Sequence, residues 1–179
     1  MALKNITLIS FGYFDEHFLT DLAESVNQEF LSQVTYKEGH LDLSEFYDPI
    51  RRQYNGTRLL KEIEEKFSSD SSKTLGLFNV DLFIPILTYI FGQAFLNGRS
   101  GIASFYRLSN ERYGITTDDS IAFERFKKEV IHELGHTFGL IHCHVPTCVM
   151  RPSTYVEDID QKSSKICFKC QDELGKLSL

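Results

Sequence analysis

The first 142 residues of this 179-residue chain hold no cysteine, so packing and not disulfides must hold most of the fold together. Basic residues are also short. Nineteen Lys and Arg stand against 25 Asp and Glu, giving a formal net charge of −6 and a pI near 5.5. That balance excludes a broad basic face for nucleic acid or an anionic bilayer. Long apolar runs are missing as well. The most apolar window, residues 82–96, is interrupted by Pro85, Gly92 and Gln93 and falls short of the roughly 20 residues that a membrane-spanning helix needs. Residues 1–10 show neither a long apolar core nor a small-residue cleavage site, which predicts a cytoplasmic protein and not an exported one.

What is present is the composition of a folded chain, 42% hydrophobic and 25% charged, and the length suits one domain. Periodicity predicts a buried strand over 6–11 ended by Gly12, a helix over 17–31 with Phe18, Leu22, Val26 and Phe30 on one face, and a strand over 33–38. His17 reads as a helix-start residue. Residues 42–57 form a connection with turns at Pro49 and Asn55-Gly56, in which Arg51 and Arg52 read as a solvated pair, or else steer a peptide carboxylate. Thr57 is placed to cap a helix over 59–67, and 68–72 reads as a polar loop. A central strand is expected over 75–83 and a further one over 102–108. Between them, the irregular stretch 85–98 carries Tyr89, Phe91 and Phe95, to pack on the core or to form a rim over a cleft.

Asp118, Asp119 or Ser120 can cap the next helix, which carries the chemistry. His132 and His136 lie four residues apart, about 40° in projection and one turn along the axis, so both imidazoles can reach one ion. Glu133 follows the first histidine, which sets its carboxylate beside a metal, where it can take a proton from water. Gly139 can adopt positive φ at little cost and stop the helix, so that His142 swings back as a third ligand. Three protein ligands leave a coordination position open, which separates a catalytic zinc from a structural one. Phe123, Phe126, Val130, Leu134 and Phe138 fall within about 120° of one another, on the side away from the histidines. One face thus packs on a sheet and the other looks into a cleft.

All four cysteines, Cys143, Cys148, Cys167 and Cys170, follow the third histidine. Without an export signal, two close pairs match a four-thiolate structural zinc site, with buried reduced thiols or a redox pair as the other readings. Such a site would staple the carboxy-terminal segment to the neighbour of His142. Met150 stands where a methionine turn would lie beneath the metal, and also suits a gap in the core. His144 adjoins Cys143 but lacks the offset of His142.

From His132 to Cys170, the combined string of His-Glu-x-x-His-x-x-Gly-x-x-His-Cys, Cys-x-Met and Cys-x-x-Cys resembles the archaemetzincin family. Asp81-Leu82-Phe83, Phe91-Gly92-Gln93-Ala94 and residues 104–108 resemble it too, while the gap from Met150 to Cys167 is a residue shorter than the family's. The resemblance implies a compact α+β metzincin-like domain: a twisted mixed sheet with packed helices, an active-site helix, and a small zinc-stapled carboxy-terminal subdomain. Residues 1–139 would form the lobe of sheet and active-site helix. Residues 140–179 would form the lobe of third histidine, methionine turn and cysteines.

The resemblance further implies two zinc ions per chain, a catalytic one at His132, His136 and His142 and a structural one at Cys143, Cys148, Cys167 and Cys170. Glu133 would be the general base of peptide-bond hydrolysis, with Met150 in the turn below. Tyr155 is the nearest tyrosine to help hold the substrate, and residues 151–155 would shape the pocket beyond the scissile bond. The expected partner is a peptide or small protein, met by a monomer without nucleic acid or membrane. Two other classes fit part of the pattern. One is a non-catalytic zinc-binding protein with a structural four-cysteine site and a weakly occupied histidine site, and the other is a small-molecule amidase with the same metal chemistry.

Overall fold

Apolar side chains alternate along the first strand, and that alternation supplies both faces of the main sheet. A computed structural model describes residues 5–177, so the part of the leader reading that falls on residues 1–4 lies outside the described residues. In β1 (Asn5–Phe11), Ile6 and Leu8 join one buried cluster, and Ile9 and Phe11 join the other. Asp15 caps α1 (Glu16–Phe30), its carboxylate accepting from the His17 and Phe18 amides at 2.9 and 3.3 Å, which places His17 in the first turn as expected. The buried side of α1, including Leu22, Val26 and Phe30, packs on the face of Ile6 and Leu8. The chain then returns as β2 (Val34–Gly39), parallel to β1.

A connection holding β3 (Tyr47–Asp48) and β4 (Gln53–Asn55) leads to α2 (Gly56–Lys66), which covers the opposite face through Leu59, Leu60 and Ile63. Next come β5 (Ser72–Phe78), β6 (Leu82–Ile84), β7 (Leu87–Ile90), β8 (Gly92–Ala94) and β9 (Ser100–Ser104). The main sheet runs β2-β1-β5-β9-β8, with four parallel strands and β8 antiparallel at one edge. A smaller sheet runs β3-β4-β6-β7, with β7 at its edge. The helix α3 (Asp119–Thr137) lies beside α1 on the first face, and α4 (Val156–Gln161) and α5 (Phe168–Leu177) follow. Each fully buried Leu or Ile in these layers contributes about 1.5–3 kcal/mol. The mixed sheet with packed helices expected from the resemblance is present, and the second sheet is an addition to it. Among the described residues, no helix is long and apolar enough to cross a membrane.

Several local expectations change. Asn55, not Thr57, caps α2, accepting from the Arg58 amide at 3.1 Å, while Thr57 Oγ1 donates to Gln93 Oε1 at 3.3 Å. The strand predicted over 75–83 is two strands. Ser104 Oγ donates to Val80 O at 2.5 Å and Arg107 grips Asp81 through two bonds of 2.6 and 2.7 Å, so the chain leaves the main sheet at 79–81 and β6 joins the smaller one. Both pieces are buried, which is why their hydrophobicity reads as continuous. The polar run 68–72 ends early, since Ser72 is buried and opens β5. The strand predicted over 102–108 is displaced to β9, because the chain turns after Phe105, whose carbonyl accepts from the Leu108 amide at 2.9 Å, and Leu108 O is taken by Arg125 at 2.9 Å. Arg51 and Arg52 are both exposed, and Arg51 is also tethered: it donates to Leu87 O at 3.1 Å and Pro85 O at 3.2 Å and stacks on Phe83. The stretch 85–98 is regular enough to hold β7 and β8.

Candidate active site

The helix that carries the motif starts at Asp118, whose Oδ1 accepts from the Ser120 and Ile121 amides at 3.0 and 3.1 Å. The Ser120 hydroxyl bond, with those amides, holds the Asp118 carboxyl below its usual range. Phe126, Val130 and Leu134 are fully buried against the sheet and α1, and Phe138 stacks on Phe30 with ring centres 5.1 Å apart. His132, Glu133 and His136 look the other way, into a cavity of about 430 Å³. Gly139, at φ +98°, stops the helix: its amide donates to His136 O at 2.9 Å and the Leu140 amide to Gly135 O at 3.0 Å. Lys73 of β5 donates to Thr137 O at 2.8 Å and Gly98 O at 2.7 Å, a cation at the negative end of the helix.

That turn brings His142 back, and ligand atoms of His132, His136 and His142 all lie within 4.8 Å of one another. His144 is exposed and outside this group. With its proton on Nδ1, His132 donates to Val149 O at 2.8 Å and His136 to Leu140 O at 2.7 Å. Those bonds favour one tautomer and leave the two Nε2 lone pairs facing each other at 3.1 Å. Two bare acceptors so close repel unless a cation is shared between them. The donor set therefore fits a zinc ion, for which neutral imidazoles are suitable ligands. Burial pushes all three below the ordinary imidazole value of 6.5, His132 well below it.

Glu133 stands beside these rings with 4% of its surface exposed. The edge strand β8 reaches it closely, since a Cβ on Gly92 would lie 2.7 Å from Glu133 Cγ and 2.8 Å from Oε1. Burial, and then the neighbouring carboxyl of Glu129, pushes Glu133 well above the usual carboxylate range, while Lys162 pulls it down. Lys162 is itself buried, donates to Arg151 O at 2.9 Å, and is held below the ordinary lysine range by that burial.

Met150 is fully buried under α3, where a side chain on Gly135 would collide with its sulfur. The four cysteines converge too, all Sγ atoms within 4.8 Å, with Cys143 to Cys167 at 3.8 Å and Cys148 to Cys170 at 3.9 Å. The Val145 amide points at Cys143 Sγ and the Cys167 amide at Cys148 Sγ, each at 3.4 Å. Burial acts to raise the Cys167 thiol, but bonds from the Cys170 amide and the neighbouring thiols bring it down to about 7. Tyr155 lines the cavity but is 62% exposed, at the start of α4.

Comparison with known proteins decides the family. The sequence model described as Peptidase family M54 matches residues 21–176. An archaemetzincin of Thermococcus kodakarensis is 36% identical over 179 residues, covering 96% of each chain. The chain belongs to the archaemetzincin family.

The solved archaemetzincin of Methanopyrus kandleri superposes with a TM-score of 0.84 at 32% identity, covering 98% of this chain and 96% of that one. A zinc-dependent peptidase of Methanocorpusculum labreanum superposes with a TM-score of 0.85 at 27% identity, covering 95% and 100%. The chain is accordingly a zinc metallopeptidase of the archaemetzincin kind. Several features of this archaemetzincin site escape a reading of the sequence alone. Glu129 and Lys162 carry no motif. Gly92 left a faint signal as a glycine inside an apolar run, the mark of a close backbone approach.

Proposed function

We propose that the chain hydrolyses peptide bonds with zinc at His132, His136 and His142 and Glu133 as general base. A second, structural zinc is held by Cys143, Cys148, Cys167 and Cys170. The observation that carries this reading is the meeting, in one open cavity, of three neutral imidazoles and a buried carboxyl. When bound, zinc supplies Lewis acidity, which makes water nucleophilic near neutral pH and offsets charge on a carbonyl oxygen. Glu133 takes the proton of the attacking water and returns it to the departing amine, and its raised pKa suits both transfers. The edge strand β8 can pair with an extended substrate backbone, and residues 152–155 wall the opposite side, with Tyr155 against the substrate. Met150 supports the imidazoles from below. A single chain acting in the cytoplasm on a peptide or small protein, with its two lobes meeting at Gly139 and with no nucleic acid or membrane, completes the reading.

Glu133→Gln preserves the shape of the site and removes the base. Metal analysis should show unchanged zinc, while cleavage of a mixed peptide library should fall by about 10²–10⁴-fold. Normal turnover in that variant would sink the assignment.

A further inference from the structure

Tyr89 spans the cleft. It belongs to β7, and its Oη donates at 3.0 Å to the carbonyl of Thr154, 65 residues onward, in the segment that walls the cavity beyond Met150. Its ring is held on two sides: the Arg107 guanidinium stacks on it at 4.2 Å, and Phe91 meets it edge-on with centres 5.5 Å apart. Arg107 is in turn locked to Asp81 by two hydrogen bonds. β7 is braced from behind by Gln53, which donates to Thr88 O at 2.9 Å. On the far wall, Asp158 accepts from the Thr154 and Tyr155 amides, both at 2.9 Å. Both ends of the bridge are thus anchored before the hydroxyl joins them.

The two segments joined by this bond line the cavity with Leu87 and Pro152 beside the hydroxyl-bearing Thr88, Ser153, Thr154 and Tyr155, and contribute no charged side chain to it. A substrate side chain seated between them meets an uncharged slot whose end is set by the tyrosine. We infer that Tyr89 determines specificity: its bridge to Thr154 closes one end of the cavity and restricts the side chain seated there to a small or medium uncharged one. The inference rests on the peptidase reading above. Tyr89→Phe keeps the ring and its stacking and removes only the bridge, whereas Tyr89→Ala opens the end of the slot.

The experiment is cleavage of a mixed peptide library by the zinc-loaded wild type and both variants, with product ends read by mass spectrometry. Hydrogen exchange of residues 152–156 and zinc content are measured on the same samples. Wild type should favour small and medium uncharged residues at one position beside the cut. Tyr89→Ala should enrich Phe and Tyr there by about tenfold, the scale of a few methylenes of pocket space. Tyr89→Phe should relax the preference by about two- to tenfold, the worth of one hydrogen bond, and speed exchange at 152–156 with zinc unchanged. Cleavage by the wild type with the same preference in both variants overturns the inference. If Tyr89→Ala fails to fold, the Phe variant decides alone. A wild type that cleaves nothing sinks the peptidase reading and the selectivity with it, and unchanged exchange in Tyr89→Phe would remove the bridge as well.

Discussion

A methyl group on Gly92 would meet Glu133 Cγ at 2.7 Å, so the edge strand and the acid can share this space only while residue 92 has no side chain. Gly92→Ala should push the carboxyl off its position. A displacement near 1 Å predicts a fall in kcat of about 10²-fold, with zinc content unchanged. Steady-state cleavage beside metal analysis checks this, and unaltered kcat would show that the strand yields instead. Protonation gives a second prediction at this scale. Glu133 has a folded pKa raised from its ordinary 4.5, so the folded chain holds a proton that the unfolded chain has released. The stabilising contribution is full below about pH 4.5 and is lost as pH rises through the folded value. In chelator-treated protein, Glu133→Gln should therefore gain on wild type as pH rises above about 4.5, as read by urea unfolding. The histidines titrate in both proteins, so their opposite slope cancels in the comparison.

The active-site helix was legible almost throughout, because its cap, its apolar stripe and its glycine stop are all written within a few residues of where they act. Asp118 caps it, Leu134 is buried, and Gly139 turns it. What holds its far end was not legible. Lys73 lies 64 residues before Thr137 and reads as an ordinary strand lysine, yet it is 7% exposed and neutralises the carbonyl end of α3. Lys73→Met should destabilise the fold by about 1.5–3 kcal/mol, the range for hydrogen bonds to a charged donor, measured by urea unfolding. The strands show the same limit. Nothing in the apolar pattern of 75–83 marks the departure at 79–81, since Ser104 and Arg107 impose it from another part of the chain.

Across the molecule, the four cysteines join residues 143–148 to 167–170, and the first of them adjoins His142. A second tie reaches further: Glu29 of α1, with 4% of its side chain exposed, accepts from the Ile166 amide at 2.6 Å and pairs with Lys165 at 3.1 Å. On the proposed second zinc at the four cysteines, Cys167→Ser should release that ion and speed hydrogen exchange over 143–150 and 163–170. Zinc should also bind more weakly at the histidines, because His142 would lose the anchor beside it. Retention of full histidine-site affinity, read by zinc titration, would show that the Gly139 turn alone suffices to place His142.

Metal chemistry was decided by the sequence itself, since a helix repeat of 3.6 residues makes His132 and His136 neighbours whatever the rest of the chain does. A glycine stop and two short cysteine spacings act over equally small distances. The family resemblance rests on the same local string. Tertiary structure alone decided which strand meets Glu133, which lysine sits behind it, and that Tyr89 reaches Thr154 across the cleft. Hydrophobic patterning states which face of an element is buried but not which element covers it. Those partners follow from strand order and layer packing, which only the folded chain sets.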